Sequence, residues 1–273
     1  MFFRLHLLLA TVCMVQIISA EESTKNSSYP QDLRTLVHAT VPMRADGKIE
    51  IPSHIKHIKL DIGLSYSAPI SQQWLSHEDD LMVFGFEPNP ACATSIMQGA
   101  IKRHPNHGDP LEKKYIGNKF FLIPCALGLS CNKIARFFIT KDDCGCSSIY
   151  YPKYFSINQV IEVPIFPLSD FFELFPFDTH PVIDYIKIDT QGSDLNIAKS
   201  AGHYLAERVV YITLEAEDSQ YANTDNSFHA IDTYMKSIGF TPYFSSQTSD
   251  PTYFNTRFSE YVKNHEIQIY QKG

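Results

Sequence analysis

The stretch IDYIKIDTQGSDLNIAKSAG, residues 183–202, decides the fold. Ile186 and Ile188 fall on one face of an extended chain and Lys187 on the other, which predicts a strand over Ile183–Asp189. Asp189-Thr190-Gln191-Gly192 then turns the chain, and Ser193 or Asp194 stands where it can cap a helix over Asp194–Ala201. A strand, a polar turn and a helix in that order form the repeating piece of a βαβ protein. Lys187 sits mid-strand, where a buried ammonium needs a partner. Asp189 or an acid on a neighbouring strand is the candidate.

The same alternation recurs on both sides. Strands are predicted at Ile55–Ile62, Leu81–Phe86, Phe120–Cys125 and Arg208–Leu214, and helices at Ala68–Ser76, Ala91–Lys102 and Ser227–Ile238. Extra material lies between the third and fourth parallel strands, with strands at Ile134–Thr140 and Val160–Phe166 and a helix around Leu168–Leu174. Phe240–Phe244 and Glu266–Gln271 read as two closing strands at an antiparallel edge. The fold class is therefore α/β, a Rossmann-like doubly wound seven-stranded sheet that is mainly parallel. Ligands of such sheets bind outside the carboxyl ends of the strands.

Composition agrees with a single domain over 51–273. Of 273 residues, 44% are hydrophobic and 19% charged, enough apolar surface for a core without metal or disulfide support. Net charge is -7, and removing Arg4 with residues 1–20 takes it to -8. That balance argues against nucleic acid or an anionic membrane as a partner, because both reward clustered Lys and Arg. Residues 1–20, MFFRLHLLLATVCMVQIISA, have one early Arg, an apolar stretch and Ser19-Ala20 before two acids, the pattern of a signal peptide. The apolar run falls short of a span, so a cleaved leader is preferred to a signal anchor, and the chain is expected in the secretory pathway, secreted or luminal. Residues 21–50 read as a polar lead-in that carries the sequon Asn26-Ser27-Ser28.

Outside the leader there are five cysteines, Cys92, Cys125, Cys131, Cys144 and Cys146, an odd number in an oxidising compartment. Cys125 with Cys131 is one possible bridge. Cys144-Gly145-Cys146 lacks the second Cys/His pair that a tetrahedral zinc site needs, so no metal site is expected. His104, His107 and His203 fall in loop or helix-end contexts and are not expected to act in chemistry.

Three strand ends carry the chemistry. In IKLDIGLSYSAP, residues 58–69, a strand closes on Asp61-Ile62-Gly63 and enters a helix at Pro69. The later glycines of G-x-G-x-x-G are missing, which disfavours an NAD-linked oxidoreductase. S-adenosylmethionine has no phosphate, and its turn can tolerate Ser65 and Ser67. In VFGFEPNP, residues 83–90, Glu87 ends the second strand, where a carboxylate can accept from both ribose hydroxyls. In YITLEAED, residues 211–218, alternation puts Glu215 and Glu217 on one face.

The order of blocks resembles the FkbM family of S-adenosylmethionine-dependent methyltransferases: DIG, FEPNP, CALG at 125–128, Ser147-Ser148, EVPIFPLSDFF at 162–172, KIDTQGSDLNIAKSAG and LEAE. The likeness covers most of residues 55–273. Where that family usually reads D-x-G-A-N-x-G and K-x-D-x-E/Q-G-x-E, this chain has Leu64, Ser65 and Ser67 for Ala, Asn and the second Gly, and Asp194 for the last Glu. The resemblance implies methyl transfer from S-adenosylmethionine to an oxygen nucleophile, with a glycan or small-molecule hydroxyl as acceptor. The cofactor side is assigned to Asp61, Gly63, Ser65, Ser67, Glu87, Asn89 and Ala126, and the catalytic side to Asp189, Gln191 and Glu215. Asp189 is the first candidate base, and a Mg²⁺ on Asp189 and Glu215 is the alternative way to acidify a hydroxyl. Tyr150, Tyr151, Tyr154 and Phe155 are candidates for an acceptor pocket. The competing reading is a secreted binding domain that keeps the fold without the chemistry.

Overall fold

The computed structural model describes residues 32–102, 108–129, 133–141, 143–244 and 249–269. The leader, the sequon at Asn26, Cys131, His104 and His107 lie outside them, as does the proposed Cys125–Cys131 bridge.

Seven strands form one sheet. β1 (His57–Ile62), β2 (Leu81–Phe86), β3 (Phe120–Ile123), β7 (Ile183–Ile188) and β8 (Val209–Leu214) are its parallel part, joined by α2 (Pro69–His77), α3 (Pro90–Gln98), α5 (Asp194–Ser200) and α6 (His203–Arg208). β10 (Thr252–Asn255) runs antiparallel between β8 and β9 (Phe240–Pro242), giving the order β3-β2-β1-β7-β8-β10-β9. The antiparallel pairing expected at the edge is present, but from different residues. Positions 266–269 hold no regular structure, and Thr252–Asn255 takes the place given to Glu266–Gln271.

A smaller sheet, β4 (Ala126–Leu127), β6 (Ile157–Phe166) and β5 (Ile134–Thr140), leans over the carboxyl end of the large one, with α4 (Leu168–Leu174) following it. After β5, Cys144–Cys146 form a single 3₁₀ turn that Asp143 caps by accepting the Gly145 N–H at 2.8 Å.

The central strands are buried on both faces, as parallel strands covered by helices must be. Ile58, Leu60, Ile62, Phe84, Phe86, Ile186 and Ile188 pack on one side with Phe171, Phe172, Phe175 and Met235. Val83, Leu122, Tyr185 and Val210 pack on the other with Trp74, Leu75 and Ile96. The lead-in needs correction here. Asp32 caps α1 (Leu33–Thr40), and Leu33, Leu36, Val37, Val41 and Ile49 are buried in the first of these cores, so the folded unit begins well before Ile51. An amphipathic stripe of few apolar residues, diluted by Arg34, Thr35 and His38, hid the helix.

At the far end of the sheet Lys59 is wholly buried. It donates to Glu78 and, at 2.9 Å, to the carbonyl of Gln268, beside the ring of Trp74. The terminal segment through α8 (Ser259–Val262) packs Tyr261, Ile267 and Ile269 against this face, which is what covers the charge.

Candidate functional site

Register builds the site. Ile62 pairs with Phe86 and with Ile188, and Ile188 with Leu214, so four strands end level. Each ladder is extended by one further bond: Gly63 N–H to Phe86 O, Glu87 N–H to Ile123 O, Asp189 N–H to Ile62 O and Glu215 N–H to Ile188 O, at 3.0, 3.3, 3.0 and 3.1 Å. The residues just past the strands therefore stand in one row, and three of the four are acids.

Above them is a cavity of about 380 Å³. Asp61, Gly63, Ser65, Glu87, Ala126, Asp189, Gln191 and Glu215 all line it, with Leu64, Pro88, Cys125, Phe137 and the Asp143–Ser147 turn completing the wall. Ser67 and Asn89 do not. Ser67 is buried and gives its carbonyl to Leu111 N–H at 2.9 Å, while Asn89 caps α3 by accepting from Ala91 N–H at 3.1 Å. Glu217 is turned away too, accepting from Ser219 and Gln220 in its own loop, because β8 stops at Leu214 and strand alternation does not carry past it.

Gly63 has φ +86°, and a Cβ there would lie 1.9 Å from the backbone oxygen of Asp189. The glycine is thus required by the approach of β7's own turn. Ser65 and Ala68 also take left-handed φ, of 55° and 47°, so this turn bends without the later glycines of a dinucleotide loop.

Lys187 answers the demand for a partner. Its Nζ lies 3.3 Å from Asp189 Oδ2 and 3.7 Å from Asp61 Oδ1 and donates to Gly63 O at 3.0 Å. Burial alone would drain its charge, but the two carboxylates outweigh burial and hold the ammonium protonated well above its ordinary range. Asp61 is buried, and burial raises its carboxyl despite Lys187 and the 2.6 Å hydrogen bond from Ser71 Oγ. Its Oδ1, 3.7 Å from Lys187 Nζ, has no hydrogen bond.

Glu87 is 5% exposed, and burial pushes it up to about 8, against the pull of the backbone N–H groups of Asn89, Ser65 and Leu64. The Asn89 N–H donates to its Oε1 at 2.8 Å. Burial therefore favours the protonated form of this acid near neutral pH.

Gln191 is the pivot. Its Nε2 donates to Asp189 Oδ1 at 2.9 Å and to Glu215 Oε2 at 2.7 Å, so the space between these carboxylates is filled by an amide. Its Oε1 lies 2.7 Å from the Tyr221 hydroxyl, and its backbone, at φ 59°, accepts from Ser148 Oγ at 2.7 Å. Ser193 does not cap α5 by its side chain, and Asp194 turns inward instead. It accepts from Glu215 N–H at 3.2 Å, Thr190 Oγ1 at 3.1 Å and Asn226 Nδ2 at 3.3 Å. Burial and the charge of Asp189 push Asp194 up to about 7. Ser71 and Tyr221 are supports that sequence reasoning did not single out, and Ser148 and Asp194, though read in the family's blocks, show their supporting roles only in these hydrogen bonds.

Among the described lining residues six are acidic, Asp61, Glu87, Asp143, Asp189, Glu215 and Asp250, against one lysine that is already committed. Such a lining favours a cationic or neutral ligand and opposes a pyrophosphate. The fold and this strand-end cavity define a Rossmann-like α/β protein with its ligand site at the carboxyl ends of the parallel strands. Residues 79–242, more than half of the chain, match the model of the Methyltransferase FkbM domain, and the chain belongs to that family. Among solved structures it is similar to Methyltransferase FkbM from Methylobacillus flagellatus KT, with 13% identity and a TM-score of 0.41. The match covers 82% of this chain but 48% of the other, so this protein spans about half of that relative's length. No curated protein sequence matches it.

Proposed function

We propose that the protein is an S-adenosylmethionine-dependent O-methyltransferase whose acceptor is a hydroxyl of a glycan or small molecule. The level row of Gly63, Glu87, Asp189 and Glu215 carries this reading, because it puts a ribose-type acid and a hydroxyl-accepting pair into one cavity. The residues present fit the cofactor. Asp61 lines the cavity beside Lys187, and its Oδ1, without a hydrogen bond, suits a donor of the cofactor, while Glu87 suits a vicinal diol. Leu64, Pro88, Ala126 and Leu127 offer apolar wall for a base. When bound, S-adenosylmethionine supplies a methyl group already activated by its sulfonium.

What remains for the chain is alignment and a proton. Gln191 holds Asp189 and Glu215 side by side, and an acceptor hydroxyl donating to Asp189 is oriented by that bond. Asp189 would accept the acceptor's hydroxyl proton as that oxygen is methylated. Lys187 beside Asp189 keeps the charge of the pair balanced before transfer. The signal-like leader supports a site of action in the secretory pathway.

The test is transfer of labelled methyl from S-adenosylmethionine to a panel of alcohols and methyl glycosides. The expected product is a base-stable ether, with Asp189→Asn slower by about 10²-fold, the lower range for loss of a general base. Bound cofactor with no transfer to any acceptor points to the secreted binding domain instead.

A further inference from the structure

Residues behind the cavity lining narrow the class of hydroxyl acceptor. Tyr221 is wholly buried, comes from the loop after β8 and stacks on Phe155 with ring centroids 6.2 Å apart. Its hydroxyl lies 2.7 Å from Gln191 Oε1 and 2.9 Å from the carbonyl of Cys146, two acceptors for its single proton. That contact fixes which way the Gln191 amide faces. Reversed, its oxygen would meet Asp189 and Glu215, and repulsion would part them. Ser148 Oγ donates to the Gln191 carbonyl at 2.7 Å, so both the backbone and the side chain of this left-handed residue are clamped. A well-packed clamp on a glutamine amide serves little purpose unless the two carboxylates must stay together.

Two carboxylates so held present acceptor oxygens and negative charge. Asp143 adds another carboxylate to the same wall, and Asp194 stands behind Glu215, donating nothing to the cavity while ionised. Lys187 is the one basic residue among the described lining residues, and it is bound to Asp61, Asp189 and Gly63. A phosphate, sulfate or carboxylate entering here would meet no unengaged cation. A hydroxyl would meet acceptors in place.

We propose that Tyr221 is a positioning residue, clamping Gln191 so that Asp189 and Glu215 form a hydroxyl-accepting, anion-excluding subsite for an uncharged polyol. The inference rests on the methyltransferase reading only for the name of the step, since the subsite itself is testable by binding.

The experiment uses the full chain with S-adenosylhomocysteine present and follows saturation-transfer NMR with methyl glucoside, galactoside, mannoside and xyloside, set against glucuronate and glucose 6-phosphate. The expected result is binding of at least one neutral glycoside, none of the anions, and about tenfold weaker glycoside binding in Tyr221→Phe, the worth of one ordinary hydrogen bond of about 1.4 kcal/mol. A spectroscopic reading separates positioning from folding. The Gln191 side-chain amide, assigned through Gln191→Leu, should exchange slowly with solvent in the wild type and rapidly in Tyr221→Phe, with backbone signals elsewhere unmoved. Anions binding as well as glycosides, no glycoside binding, or a protected Gln191 amide in Tyr221→Phe would each overturn the proposal. Failure to bind S-adenosylhomocysteine would overturn the cofactor reading and leave the glycoside comparison to decide the subsite.

Discussion

Gly63 and Glu87 show how single residues set the site's tolerance. A methyl on Gly63 would fall 1.9 Å from the main-chain oxygen of Asp189 in the turn after β7, where nothing flexible can yield, and φ +86° adds strain of about 1–2 kcal/mol. Gly63→Ala is expected to cost more than about 3 kcal/mol in urea unfolding, as clashes in packed interiors do. A loss below about 1 kcal/mol would mean that the two turns are not in contact. Glu87 makes a pH-dependent contribution of definite sign. Its ordinary value is 4.5 and its folded value about 8, so between these the unfolded chain releases a proton that the native chain keeps. Stability should therefore fall as pH rises through that window, and Asp194, raised to about 7, acts in the same direction. Denaturation midpoints measured from pH 5 to 8 should show this decline in the wild type and a flatter course in Glu87→Gln. An unchanged slope would place the titration elsewhere. A ligand diol donating to the carboxylate favours its ionised form, so affinity for the cofactor product should strengthen with pH over the same interval.

Elements differ in how plainly they announce themselves. The strand Leu81–Phe86 is a short apolar run and Ile183–Ile188 an alternating one, each closed by a polar turn, and the residues that follow them were legible as strand-end acids for that reason. Thr252–Asn255 was not, because TYFN is a strand only through its pairing with β8, Thr252 against Thr213, a contact made 39 positions away. Gln191 was legible as a site residue, but its bridge between Asp189 and Glu215 and its clamp by Tyr221, 30 positions on, have no local signature. Helix α1 is the clearest element-scale correction. Leu36 is 4% exposed within the main core, so Leu36→Ala should destabilise the protein by about 2–5 kcal/mol, as large-to-small changes in cores do. Chemical denaturation measures it, and a cost under about 0.5 kcal/mol, the scale of surface changes, would return residues 33–50 to the status of a lead-in.

Across the whole molecule, one sheet divides two tasks between its ends. At the amino ends of the strands Lys59 is sealed under Glu78 and the terminal segment, a buried pair whose loss would strand a charge. At the carboxyl ends the pairing stops level and leaves acids facing a cavity roofed by the smaller sheet and the Cys144–Cys146 turn. Fold class was readable from the alternation of strands and helices; the level register that turns separate acids into one site was not, since it is a property of pairing between strands. On the proposed reading this cavity takes the methyl donor through Glu87 and Asp61, and isothermal titration calorimetry of the full chain with S-adenosylhomocysteine measures that binding. Saturable one-to-one binding that weakens at least tenfold in Glu87→Ala, about 1.4 kcal/mol, is the expected result, and absence of binding in the wild type, or equal affinity in Glu87→Ala, would contradict it.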